Sequence, residues 1–209
     1  MTMTQTGSTD IGGYPTPAAS VAQLFYDRVA ATPTAEAFRF PARDGWTSVS
    51  WAGAAEAVKT LAAGLLSLGI QPEQRVAIAS NTRIEWLYAD LAVMCAGAAT
   101  TAVYPSTTAD DVLFILADSE TRIVFAEDDA QIEKLRQNRE HLPHLVQVVT
   151  FDGTADGEWV LGLADLEARG ARHLVEHPTS VDDAVAAVGP EHLATLIYTS
   201  GTTGRAKGV

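Results

Sequence analysis

The chain has 209 residues, 47% of them apolar and 19% charged, which is the balance of a globular protein with a sizeable core rather than of a disordered one. Its formal net charge of −12 argues against a nucleic-acid partner, whose phosphates need clustered Lys and Arg. The same charge argues against electrostatic docking on anionic lipid and leaves membrane contact at most peripheral.

Residues 1–20 lack the basic start and apolar centre of a targeting segment. Rich in Thr, Gly, Ser and Pro, they are expected to form a flexible tail ahead of one domain over 21–209. Helical spacing of Val21, Leu24, Phe25, Arg28 and Val29 predicts a helix, closed by Pro33. "AFRF" and "WTSVSW" predict two strands joined near the turn signal Asp44-Gly45. Ser50 is the expected N-cap of a long helix that Gly69 ends. Its buried stripe is Trp51, Ala54, Ala55, Val58, Leu61, Ala62, Leu65 and Leu66.

From there strand and helix alternate. "RVAIAS", "ATTAV", "RIVFAE" and "LVQVVTF" read as strands. "RIEWLYADLAVMCA", "ADDVLFILADS" and "DAQIEKLRQNRE" read as the helices between them, the first with Ile84, Leu87, Leu91 and Met94 on one face. Continuous apolar strands with short links predict an α/β fold, a mostly parallel sheet flanked by helices. Residues 152–189 read as acidic surface elaboration carrying helices at "LADLEARGARHL" and "SVDDAVAAV", and "EHLATLIYT" returns to strand character. Cys95, the one cysteine, sits in "LAVMCAGAATTAV" and reads as a small buried hydrophobe with no basic neighbour to make it a nucleophile. That run is too short and too rich in Gly and Thr to span a bilayer. A lone cysteine fits a reducing compartment, so the cytoplasm is the expected location.

Two patterns imitate chemistry. "HLVEH", His173 to His177, matches an inverted zinc-protease spacing, but Pro178 follows at once and no third ligand is near, so a solvated helix end is the reading taken. The doublets Asp110-Asp111, Asp128-Asp129 and Asp182-Asp183 each fall in a first helical turn, where negative charge complements the dipole. Thr107 with Asp110 and Ser180 with Asp183 are the expected capping boxes.

The last stretch, "LATLIYTSGTTGRAKGV", differs in kind. A strand feeding consecutive Ser, Thr and Gly residues exposes a run of amides, and Gly201 and Gly204 permit the close approach of a large anion. Thr199, Ser200, Thr202 and Thr203 add hydroxyls, one of which could bind the magnesium that accompanies a triphosphate. Lys207 adds a compact positive charge and is one of only three lysines among fourteen basic residues. The pattern is not the common nucleotide P-loop, because Ala206 precedes Lys207 and Gly208 follows it.

"YTSGTTGRAKGV" resembles the phosphate-binding signature of the adenylate-forming (AMP-binding) superfamily, with Ala206 where that signature carries proline. Losing that φ restraint removes no phosphate donor. The resemblance covers most of residues 20–209. "NTRIEWLYADLA" and "VYPSTTADDVLFILADS" are similar to the N-terminal half of the long-chain fatty-acid–CoA ligase (acyl-CoA synthetase) branch.

The resemblance implies an ATP-dependent acid–thiol ligase that joins a fatty acid to AMP and then to coenzyme A, with Mg2+ as cofactor. By position, Thr199, Ser200, Gly201, Thr202, Thr203, Gly204 and Lys207 would hold the β- and γ-phosphates, and Thr199 would help place the metal. It also implies that the adenylating lysine and the acyl, adenine and coenzyme A pockets lie beyond Val209. The chain is then expected to be an N-terminal fragment, inactive alone, of undetermined oligomeric state. "KGV" would open the second strand of a hairpin. Two alternatives stay open: a relative that activates an aryl or amino acid, and a non-catalytic phosphate-binding module.

Overall fold

A computed structural model describes residues 18–199 and 206–209. Helix α1 (Val21–Ala31) starts at Ser20, whose hydroxyl accepts the Gln23 amide at 3.0 Å. Its inward face is Ala22 and Phe25, while Val21 and Leu24 are 46% and 58% exposed, so only part of the predicted stripe faces the core. The Phe25 ring sets the rotation by packing against Trp51, centroids 6.2 Å apart. Strands β1 (Glu36–Ala42) and β2 (Gly45–Ser50) form an antiparallel hairpin. Its turn residues are Arg43 and Asp44, one position earlier than predicted, and Gly45 opens β2 at φ 130°. Helix α2 (Trp51–Ser67) is capped by the Ser50 hydroxyl, 3.2 Å from the Gly53 amide, and Gly69 at φ 82° follows its end.

The alternating half of the chain gives β3 (Arg75–Ala79), α3 (Ile84–Cys95), β4 (Ala99–Val103), α4 (Ala109–Asp118), β5 (Ile123–Ala126), α5 (Asp129–Gln137) and β6 (Gln147–Thr150). There follow β7 (Val160–Gly162), α6 (Leu163–Glu176), α7 (Ser180–Ala187) and β8 (Thr195–Leu196). Six strands make one parallel sheet in the order β7-β6-β5-β3-β4-β8, which bears out the α/β prediction. One face buries Val76, Ile78, Ile123 and Phe125 with side chains of α1, α2, α3, α6 and α7. The other buries Ala77, Val124 and Val148 with α4 and α5. Burial on both faces explains why these strands are unbroken apolar runs.

The fully buried residues of α3 are Ala89, Ala92, Val93 and Cys95; of the predicted face, Leu91 and Met94 pack half-buried against the same core, and Ile84 and Leu87 are half-buried. Small side chains let this helix lie close to the sheet and to α2. Burial pushes the Cys95 thiol up to about 12, and the nearby Asp182 carboxylate adds to the effect. The folded protein should therefore resist Ellman's reagent at pH 8 and react fully once unfolded in guanidinium. Stoichiometric labelling of native protein within minutes would contradict this burial.

Residues 152–189 are not surface elaboration. Strand β7 completes one edge of the sheet, and Asp156 shapes the turn before it by accepting the Val160 and Glu158 amides at 2.8 and 2.9 Å. Helix α6 packs backbone to backbone on α2. A Cβ added at Gly170 would lie 1.9 Å from the Thr60 carbonyl oxygen, and one at Gly64 would lie 2.7 Å from that of Leu166. Asp182 on α7 accepts the Lys59 ammonium at 2.9 Å and the Tyr26 hydroxyl at 3.1 Å, which joins α7 to α2 and α1.

Two caps fall one residue away from their predicted places. Thr108 caps α4, accepting the Asp111 amide at 3.2 Å and donating to its carboxylate at 2.8 Å. Thr179, not Ser180, precedes α7 and donates to Asp183 at 2.9 Å. Among the described residues no three His, Cys, Asp or Glu side chains gather as a metal site, and no helix is long and apolar enough to cross a membrane.

Candidate functional site

The terminal loop is carried by the strand at the sheet edge. The Thr100 amide donates to the Ala194 carbonyl at 3.0 Å, the Thr195 hydroxyl to the Thr100 carbonyl at 3.0 Å, and the Leu193 amide to the Glu73 carboxylate at 2.9 Å. After Leu196 the chain leaves the sheet. Strands β9 (Tyr198–Thr199) and β10 (Lys207–Gly208) then pair antiparallel, so "KGV" is indeed the return strand of a hairpin. Beyond the two strands, the Ile197 amide donates to the Val209 carbonyl at 2.8 Å and the Val209 amide to the Ile197 carbonyl at 3.1 Å.

Of the predicted phosphate-holding residues, Thr199 and Lys207 are brought together as direct cross-strand partners, and both are exposed. Ser200, Gly201, Thr202, Thr203 and Gly204 lie outside the described residues. Opposed residues in an antiparallel pair hold their Cβ atoms about 5 Å apart. The hydroxyl and the ammonium can therefore meet one anion from two sides. Lys207 makes no ion pair among the described residues.

Sequence reasoning passes over the residue at the hairpin's foot. The Tyr198 hydroxyl donates to the Asp118 carboxylate at 2.6 Å, and its ring meets Phe114 edge-on with centroids 6.4 Å apart. Across the hairpin, a Cβ on Gly208 would lie 3.1 Å from Tyr198 Cζ, so the ring lies directly against the return strand. Burial first, and then the Asp118 carboxylate, raise the phenol well above its ordinary value, so it stays a hydrogen-bond donor at neutral pH.

An open parallel sheet usually takes ligands at its switch point, here between the carboxyl ends of β3 and β5, where the crossovers diverge. That place is filled by the protein's own groups. Glu127 accepts both the amide and the side-chain nitrogen of Asn81, at 2.9 and 2.8 Å. Arg83 is held by Glu85 at 2.6 Å and by Asp152, and its guanidinium lies 5.6 Å from the Phe151 ring centre. Asp128 caps α5 by accepting the Gln131 amide at 3.1 Å. The carboxylates leave this crest negative and repel phosphate. The hairpin is the better place for a large anion.

The family described as AMP-binding enzyme matches residues 25–209. The long-chain-fatty-acid–CoA ligase FadD15 of Mycobacterium bovis is 38% identical over 163 residues, covering 78% of this chain and 26% of that protein. The long-chain-fatty-acid–CoA ligase ACSBG1 of Rattus norvegicus is 28% identical over 193 residues, covering 91% of this chain and 26% of its own length. The chain thus spans about a quarter of the length of the relatives it matches. Among solved structures, the anthranilate CoA ligase AuaEII in complex with anthranoyl-AMP superposes with a TM-score of 0.76 at 18% identity, over 93% of this chain and 35% of that one.

Proposed function

The chain belongs to the AMP-binding enzyme family, and from that premise we propose that it supplies the pyrophosphate-holding part of an ATP-dependent fatty-acid–CoA ligase. In that reaction a fatty carboxylate attacks the α-phosphorus of ATP and pyrophosphate departs. The thiol of coenzyme A then displaces AMP from the acyl-AMP. Thr199, Ser200, Gly201, Thr202, Thr203, Gly204 and Lys207 hold the β- and γ-phosphates, and Lys207 offsets the charge that grows on the leaving group. The observation that carries this reading is the Lys207 ammonium opposite Thr199, with no ion pair among the described residues. Thr199 would offer a neutral ligand to a magnesium ion bound to the triphosphate, which would screen its oxygens. A fatty acid is preferred to an aryl or amino acid because the relatives FadD15 and ACSBG1 are named long-chain-fatty-acid–CoA ligases. The cytoplasm is the location this chemistry suits.

Since the chain spans about a quarter of those relatives, it holds phosphate but does not complete the reaction alone. Calorimetry with magnesium tripolyphosphate should give saturable binding near one equivalent. Incubation with ATP, magnesium and palmitate should give no acyl-AMP. Absence of any tripolyphosphate binding would remove the phosphate-holding role, and accumulation of acyl-AMP would show that the 209 residues suffice.

A further inference from the structure

Helix α4 ends on Asp118, and no basic residue stands in its last turn. A carboxylate at a helix C-terminus faces the negative end of the dipole and the unpaired carbonyls, so this is the wrong end for an acid. The Arg75 guanidinium, which binds the residue after Asp118, is committed elsewhere. Arg75 donates to the Ser119 carbonyl and pairs with Glu120 at 2.7 Å. What Asp118 does hold is the Tyr198 hydroxyl, 80 residues away in sequence. A residue set against its local preference, and joined to the foot of a loop with a ligand to hold, is characteristic of a functional compromise.

The geometry points to a latch: we propose that Asp118 and Tyr198 are positioning residues that fix the β9–β10 hairpin on α4 and so present Thr199 and Lys207 to a polyphosphate. Tyr198 acts on both strands. It begins β9, and its ring covers Gly208 next to Lys207. The ring also packs against the α4 side of the core beside Phe114, and the hydroxyl reaches Asp118 at the end of that helix. Without the bond the hairpin keeps its own pairing but loses its registration on the sheet. The hairpin would otherwise be held by the short β8 pairing, its bonds to Thr100 and the Tyr198 ring contact. The inference rests on the reading of residues 199–207 as the phosphate loop.

The test uses the full 209-residue chain, with amide hydrogen exchange and calorimetry against magnesium tripolyphosphate. In Tyr198→Phe, exchange at Ile197 and Val209 should quicken and the tripolyphosphate Kd should rise, each by about fivefold to tenfold, the net weight of one solvent-exposed hydrogen bond. Asp118→Asn keeps an acceptor and should restore most of both. Asp118→Ala separates latch from scaffold: it relieves the helix end, so the melting temperature should hold or rise while affinity falls as in Tyr198→Phe. Unchanged exchange in Tyr198→Phe overturns the latch. Faster exchange with unchanged affinity overturns the positioning role. A wild-type chain that binds no tripolyphosphate overturns the phosphate-loop reading and the positioning role with it, and the exchange data then judge the latch alone.

Discussion

Lys207→Ala should weaken magnesium tripolyphosphate binding by about tenfold to hundredfold, the range for loss of a hydrogen bond between charged groups. Lys207 stands opposite Thr199 on a hairpin in an acidic protein and has no carboxylate partner among the described residues. Among the described residues no carboxylate competes for its ammonium, and none is left unpaired when it goes. The variant should therefore fold normally and lose affinity without losing stability. The same affinity should fall steeply with added salt in the wild type and less steeply in the variant, because an exposed ion pair is screened. Lys207→Arg should recover only part of the loss, since a planar fork does not reproduce a compact charge. Equal affinity in wild type and Lys207→Ala, measured at low salt, would take the lysine out of the site.

Gly170→Ala should lower stability by about 2–4 kcal/mol, although helix propensity alone predicts a gain of about 1 kcal/mol in the opposite direction. The difference is decided by the α6–α2 contact. A Cβ at Gly170 would meet the Thr60 carbonyl oxygen at 1.9 Å and the Gly64 amide at 2.9 Å, and both are backbone atoms that no rotamer change can move. Helix α6 must shift bodily, which opens the packing around the fully buried Leu166. For a chain of this size the loss corresponds to roughly 5–15 °C in melting temperature. A melting temperature at or above wild type would mean that the two helices are not in backbone contact.

Elements whose burial is symmetrical were the most legible in the sequence. Strands β3 to β6 are largely buried on both faces, so no choice of face was needed to find them, and the Ser50 cap announced α2 by residue type alone. The helix faces were harder. Periodicity in α1 and α3 draws attention to large residues, but the surfaces pressed to the core carry Ala22, Ala89 and Ala92, which contribute little to an apolar pattern. Strand β7 escaped because it has three residues and follows a turn built by acidic side chains. The one-residue displacement of the α4 and α7 caps has a simple origin, since adjacent hydroxyl residues compete for the same place. The hairpin itself was legible because "KGV" restores strand character after the loop. Tyr198 and Asp118 were not, because a contact spanning 80 residues leaves no local trace. An aspartate ending a helix was the one available sign.

The joint between β4 and β8 has a mechanical meaning. Strand β8 registers on β4 through Thr195 and Leu196, with the Thr100 amide on the Ala194 carbonyl beside them, and the neighbouring Thr101 hydroxyl is buried without a partner among the described residues. Strand β3, by contrast, is gripped from both sides along its length. Tension applied at Val209 would therefore peel the sheet from this edge like tape, freeing the hairpin with the β3–β6 stack still intact. The seam is the compliant element of the fold, and the hairpin we propose to hold a departing pyrophosphate is mounted on it.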